Sequence, residues 1–249
     1  MLPAGAKLTE TGLQYTLFAN SSRYGTPAIN ALWFEFPEEA DLFGVDRQFL
    51  VGRDILVTPV LEPNATTVNG VFPGTAAGTI WRDWYTQKAV NVSSGTSTKL
   101  DAPLSHINVH IRSGSVILLH AEPGYTTKET REGPYALLVS LDAEGNARGT
   151  AYIDDGISDP PGPSVDLVFV ASGGSLSITA TGTDGKDKYD ITSRLQSMTV
   201  LGVQQSPAEV SIASEVLGKD AWTFQEDADR LVLANLTINL NQEQTFSWA

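Results

Sequence analysis

Cysteine is absent from the 249-residue chain. That excludes disulfides and thiolate metal sites, so stability must come from a packed core, which a chain of this length can bury. It leaves the cellular compartment open, because a secreted protein of this size can dispense with disulfides. Histidine is scarce, at three residues, and bases are outnumbered: 16 Lys and Arg stand against 29 Asp and Glu, a formal charge of −13. With a pI near 4.5, the surface repels phosphate backbones, so no nucleic-acid partner is expected. No apolar run approaches the roughly 20 residues that a bilayer-spanning helix needs, so no membrane partner is expected either. A charged start followed by an apolar segment is missing from residues 1–12, so they are not read as a secretory signal. Neither a Gly-x-Ser-x-Gly nucleophile elbow nor a phosphate-binding Gly-x-x-x-x-Gly-Lys loop occurs.

What remains is a chain of ordinary globular composition, 41% apolar and 18% charged, whose texture changes near Ile55. Before that point it reads as α/β. Leu13, Leu17, Phe18 and Tyr24 fall at helical spacing, and Gly25-Thr26-Pro27 stops the helix. Ala28 to Phe36 is a nearly continuous apolar run ending at Pro37, which suits a strand buried on both faces, as in a parallel sheet. Leu42, Phe43, Phe49 and Leu50 then allow a short helix. After Ile55 the pattern is all β. Ile55–Val60, Thr67–Phe72 and Thr79–Tyr85 read as strands. Ile107, Val109 and Ile111 alternate with polar neighbours, the sign of a strand with two unlike faces. Ala136–Leu141 and Gly149–Ile153 read as partners across the Asp142–Asn146 turn. Short strands then recur at 167–171, 175–180, 195–203, 209–212, 231–233 and 245–248, punctuated by Gly, Pro, Asp and Asn turns, which suggests a β-sandwich.

Candidate chemistry is sparse. His106 and His110 share one strand face, but four strand residues span about 13 Å, too far for both to ligate one metal. They read as exposed or hydrogen-bonded strand residues, and no metal site or cofactor is expected. Asp154-Asp155-Gly156 lacks the spaced ligands of a calcium loop and reads as a hairpin turn. Trp81-Arg82-Asp83-Trp84-Tyr85 sets an acid among aromatics that could stack on a sugar. Core aromatics with a locally paired Asp83 are the plainer reading. Glu35, at the end of the apolar run, is the most interesting acid, but glycoside hydrolysis takes two carboxylates. Four glycosylation sequons begin at Asn20, Asn64, Asn91 and Asn235.

The order of motifs resembles the C-terminal portion of glycoside hydrolase family 31, the α-glucosidase and maltase-glucoamylase family, in its fungal branch. The resemblance rests on Gly25-Thr26-Pro27, Trp33-Phe34-Glu35-Phe36-Pro37, Asp46–Gly52, Leu56–Val60, Phe72-Pro73-Gly74, Ile111–Ile117 and Tyr152–Gly156, in order over residues 13–156. Asn30, Asn108, Ser113 and Leu118 depart from the family's usual Arg, Pro, Gly and Pro. The resemblance implies a mainly β fold: residues 1–50 as the remnant of a (β/α)8 barrel end (last helix, strand and short helix), 51–122 as a proximal β domain and 123–249 as a distal β-sandwich. It implies secretion, a carbohydrate substrate for the intact family member, and a larger catalytic chain or missing barrel as partner. The family's catalytic aspartates lie on earlier barrel strands, so no catalytic or substrate-binding residue is assigned here. The isolated chain is expected to be structural and inactive. A non-catalytic carbohydrate-binding module, motivated by Trp81, Trp84 and Tyr85, and a non-functional truncated product are the alternatives.

Overall fold

The computed structural model describes residues 11–92, 97–122, 124–185 and 187–249. The first element is the helix α1 (Thr11–Tyr24). It stops where the sequence says it should: Gly25 takes a left-handed φ of 72° and donates its N–H to the Ser21 carbonyl at 2.9 Å, a C-terminal cap that glycine adopts without a Cβ penalty. Leu13 buries itself in the core. Thr16 bonds back to the Gly12 carbonyl and accepts the Tyr152 N–H at 3.0 Å, which ties the helix to a strand far along the chain.

The apolar run at 28–36 is not the doubly buried parallel strand its composition suggests. A strand of two residues, β1 (Ile29–Asn30), pairs antiparallel with β2 (Phe49–Val51). The chain then makes a single helical turn, α2 (Leu32–Glu35), closed by the Phe36 N–H on the Leu32 carbonyl. Leu32 and Phe36 are buried one turn apart while Trp33 and Phe34 face outward. A run that is apolar at every position hides its period, so helix and strand cannot be told apart in it. Residues expected as a short helix form a 3-10 turn at Ala40–Gly44 and then enter β2.

β1 and β2 belong to a five-stranded antiparallel sheet with β3 (Ile55–Thr58), β5 (Trp81–Asp83) and β7 (Asn108–Arg112), in the order β1-β2-β3-β7-β5. Beside it lies a two-stranded ribbon of β4 (Thr67–Gly70) and β6 (Thr98–Asp101). Both faces of the sheet are covered. Leu50, Leu56 and Trp81 pack with Leu32, Phe36 and Phe72 on one side, while Ile55, Val57, Val109 and Ile111 pack with Leu13 and Ile117 on the other. β7 does have two unlike faces, but the reading of His110 as exposed or hydrogen-bonded is corrected. His110 is buried, its ring edge-on to Phe72 at 4.8 Å, because the Phe72 segment roofs that side.

The remaining strands form one large curled sheet. Its members are β8 (Ser115–His120), β9 (Tyr135–Ser140), β10 (Ala147–Ile153), β11 (Val165–Ser172), β12 (Ser175–Gly182), β13 (Arg194–Leu201), β14 (Val210–Ile212), β15 (Glu215–Val216), β16 (Trp222–Gln225), β17 (Arg230–Leu233), β18 (Ile238–Asn239) and β19 (Gln244–Trp248). The path runs β15-β14-β19-β12-β11-β10-β8-β9-β13-β17-β16, with β18 on β13. Leu176, Ile178 and Phe246 share a core with Leu137, Met198, Val200 and Leu231, although their strands lie far apart in that order. The sheet therefore curls to bring its ends face to face. β9 and β10 are not partners, contrary to expectation, because β8 lies between them, antiparallel to β9 and parallel to β10. Gly149 permits this: a Cβ there would lie 1.9 Å from the Val116 carbonyl oxygen. The fold is mainly β, and the change of sheet falls between β7 and β8.

Candidate functional site

Two features stand out: an open apolar face at the beginning of the chain, and the polar joint that fastens that face to the large sheet. The face is built by α1, β1, α2 and the 3-10 turn. Phe18, Tyr24, Ile29 and Phe43 are each more than 60% exposed, and Trp33 and Phe34 nearly half. Trp33 is edge-on to both Phe34, at 6.2 Å, and Phe43, at 6.4 Å. Trp33, Phe34 and Phe43 thus form an exposed aromatic cluster. Beside it opens a cleft of about 450 Å³, lined by Leu17, Asn20, Asn30, Phe34, Glu35 and Arg148 among others.

Polar groups hold α2 against the sheet edge beneath this face. Arg112 reaches Glu35 at 3.7 Å and lies over the Phe36 ring at 4.3 Å. Asn30 donates to the Gly52 carbonyl at 3.1 Å and to Glu35 at 3.4 Å. The Ser115 hydroxyl donates to Asp54 at 2.6 Å. Burial pushes the Asp54 carboxyl up, with the Ser115 bond and Arg53 opposing. Burial and Arg53 pull Arg112 down, with Glu35 and Asp54 opposing. Glu35 is thus occupied as an anchor, with its carboxylate shared between Arg112 and Asn30.

The joint also starts from α1. Tyr15 donates to Asp154 at 2.7 Å, Tyr152 to the same carboxylate at 2.9 Å, and the Gly156 N–H closes on it at 2.7 Å. Burial, then the Asp154 bond, raises the Tyr15 phenol well above its usual range. Arg131 donates to the Asp154 carbonyl at 3.2 Å and lies 5.4 Å from the Tyr15 ring centre. Further along, Arg23 grips both oxygens of Asp166 at 3.2 Å each, the bidentate geometry that makes such pairs strong. Nothing local in the sequence marks Tyr15 or Asp154 as partners, since 139 positions separate them. The only hint is the pair of acids at 154 and 155 after an aromatic strand. The expected tight hairpin turn there is instead the start of a long connection: β10 and β11 pair antiparallel from Ala147–Ala171 inward, and their innermost pair is Ile153 and Val165.

The other singled-out residues are dispersed. Trp81 is 1% exposed and donates its indole N–H to the Pro73 carbonyl at 2.8 Å. Arg82 is buried, donates to the Ser140 hydroxyl at 2.7 Å, and is lowered to about 10 by burial. Asp83 accepts the N–H groups of Tyr85 and Thr86, a local turn. Trp84 packs partly into the core, and Tyr85 lies 4.6 Å from the His106 ring. This aromatic run offers no row of stacking faces to a sugar. His106 and His110 have different aromatic neighbours, Tyr85 and Phe72. Asn108 donates to the Asp101 carbonyl, and Ser113 accepts the Ile80 N–H. Of the sequon residues, Asn64, Asn91 and Asn235 are exposed, whereas Asn20 is half-buried on α1 and accepts from Arg23.

Residues 25–117 match the profile of the glycosyl hydrolase family 31 C-terminal domain. An α-glucosidase of Schizosaccharomyces pombe is 40% identical over 236 residues, which are 94% of this chain and 23% of the relative. An α-glucosidase of Aspergillus niger is 39% identical over 222 residues, 89% of this chain and 22% of the relative. The chain therefore spans about a quarter of the length of such relatives. Among solved structures, the glucosidase II α subunit superposes with a TM-score of 0.83 at 20% identity, covering 98% of this chain and 28% of that one. A family 31 dextranase of Flavobacterium johnsoniae gives 0.76 at 20% identity, covering 98% and 32%. These structural likenesses speak for the fold alone.

Proposed function

Because the chain belongs to glycoside hydrolase family 31, of which it carries the C-terminal portion, we propose that it serves an α-glucosidase as the part that closes and braces the catalytic barrel, not as the part that performs the chemistry. The observation that carries this reading is the open aromatic face of Phe18, Tyr24, Ile29, Trp33, Phe34 and Phe43. It lies on the first described elements, and the relatives are about four times longer. On this reading α1 is the last barrel helix. The face is the seam with the earlier barrel units, and the Tyr15–Asp154–Tyr152 joint transmits the rigidity of the large sheet to that seam. The substrate of the whole is an α-linked glucoside. Its hydrolysis is a retaining double displacement by two carboxylates supplied upstream. Secretion, with Asn64, Asn91 and Asn235 as glycan acceptors, follows from the same reading.

The test is reassembly in two pieces. The first three quarters of the A. niger relative and this chain are expressed separately and then together. Maltose hydrolysis and co-purification are expected only from the pair. Hydrolysis by the chain alone above a heat-killed control, surviving purification, would overturn the division of labour. Failure of the two pieces to associate would overturn the seam.

A further inference from the structure

A second cleft, of about 500 Å³, opens in the large-sheet region between α3 (Thr127–Glu132), the segment after β10 and the stretch at 189–193. Lys128, Arg131, Tyr135, Asp155, Tyr189 and Ser193 are among its walls. Its size is within the range of about 300–1,000 Å³ typical of small-molecule sites. The walls are preformed. Thr126 and Glu129 cap α3 reciprocally, and Asp155 accepts the N–H groups of Ile157 and Ser158 at 3.0 Å each. Adjoining it is a cavity of about 30 Å³, with Arg131, Tyr135, Ile153 and Asp154 lining both spaces. The small cavity also touches His120, which is 2% exposed and whose Nδ1 has no hydrogen-bond partner among the described residues. A buried ring nitrogen left unpaired is costly, so it calls for a polar group to enter that cavity.

The lining indicates the class of ligand. Lys128 and Arg131 are offset by Glu132, Asp154 and Asp155, and the chain as a whole carries −13, so a phosphate or carboxylate is disfavoured. Burial and the neighbouring Arg131 bring His120 down to about 4, which keeps it neutral near pH 7 and leaves its free ring nitrogen able to accept a hydrogen bond. Tyrosine rings, hydroxyls and both charge signs around one cleft suit an uncharged molecule with many hydroxyls. We propose that this cleft binds a neutral saccharide of one or two rings, with a ligand hydroxyl or a bridging water in the small cavity completing the His120 hydrogen bond. The choice of glucose units among saccharides rests on the glycosidase reading above. The cleft itself is distinct from the barrel seam.

The experiment titrates the isotope-labelled 249-residue chain with maltose and follows amide shifts by NMR. Saturable shifts confined to residues near 128–135, 153–157 and 189–193 are expected, with a Kd of about 1 mM, which corresponds to roughly 4 kcal/mol. Tyr189→Ala removes a wall and His120→Leu removes the unpaired nitrogen, and each is expected to weaken binding at least severalfold. Because Tyr189 is only half-buried, its variant remains informative if His120→Leu unfolds. The absence of saturable shifts up to tens of millimolar maltose, or shifts that both variants leave unchanged, overturns the proposal. So does inorganic phosphate perturbing the same amides in place of maltose. A Tyr189→Ala chain is expected to restore hydrolysis to the upstream piece as well as the wild type does. Failure of the wild-type chain to bind maltose with intact reassembly therefore sinks the cleft alone, while failed reassembly with wild-type binding intact sinks the barrel reading alone.

Discussion

The two ends of this molecule bury their apolar residues to very different degrees. In the large curled sheet the alternation closes on itself. Leu167, Phe169, Leu176, Ile178, Val200 and Phe246 are fully buried in one core supplied by the sheet's own strands. At the beginning of the chain, Leu32 and Phe36 find a core while Trp33 and Phe34, interleaved with them, do not. The same density of apolar residues thus produces a finished interior in one region and half of an interior in the other.

The comparison can be broken most forcefully in the finished core. Phe169→Ala is expected to cost about 3–5 kcal/mol, because it removes a fully buried ring from a core with little room to collapse. Denaturant unfolding should show the loss as a lower midpoint with an unchanged slope. A cost below 1 kcal/mol would mean that the curled sheet is loosely packed.

The joint between the regions comes next. Asp154→Ala strands the Tyr15 and Tyr152 hydroxyls and the Gly156 N–H, at a cost of roughly 2–3 kcal/mol. Its signature is local: hydrogen exchange should accelerate in α1 and stay slow in β11 and β12. Equal acceleration in both would show that the regions unfold as one unit.

Acid should weaken the structure through His110 and His120, each brought down to about 4, chiefly by burial. Between pH 6.5 and 4 the unfolded chain binds protons at these rings and the folded chain does not. Stability is therefore complete above about 6.5 and falls with pH, by up to roughly 1.4 kcal/mol per pH unit for each histidine. Asp54, raised by burial, acts in the opposite direction. The double variant His110→Phe, His120→Leu isolates the histidines and should flatten the thermal-midpoint profile over that window. A wild-type profile that is already flat there would contradict the buried, neutral rings.

The smallest effect on folding is expected at the open face. Phe34→Ser and Trp33→Ser should change stability by less than about 0.5 kcal/mol, since these rings are nearly half exposed. The same substitutions should abolish association with the upstream piece in sedimentation.

The sequence discloses what depends on period and punctuation. The extent of α1 follows from Leu13, Leu17 and Tyr24 with Gly25-Thr26-Pro27, and strands such as β11, β12, β13 and β19 follow from alternation between turn residues. It hides what depends on distant neighbours. The Ala28–Phe36 run has no visible period, so a helical turn passes for a strand. His110 looks like an open strand face until Phe72 is placed over it. β9 and β10 look like a hairpin because the strand between them comes earlier in the chain. Of the candidate sites, the Trp-Phe-Glu-Phe motif was legible, but its exposure was not. The Tyr15–Asp154 link and the unpaired His120 nitrogen arise only when residues far apart in sequence meet.

The most direct measurement is hydrogen exchange of the chain alone and then with the upstream piece added, comparing residues 13–44 with 165–178 and 195–201. Fast exchange in 13–44 that becomes protected on mixing, beside slow and unchanged exchange in the other two stretches, is the expected result. Protection of 13–44 equal to that of the large sheet without any partner, and unaltered by mixing, would contradict the claim that these first elements are half of an interior.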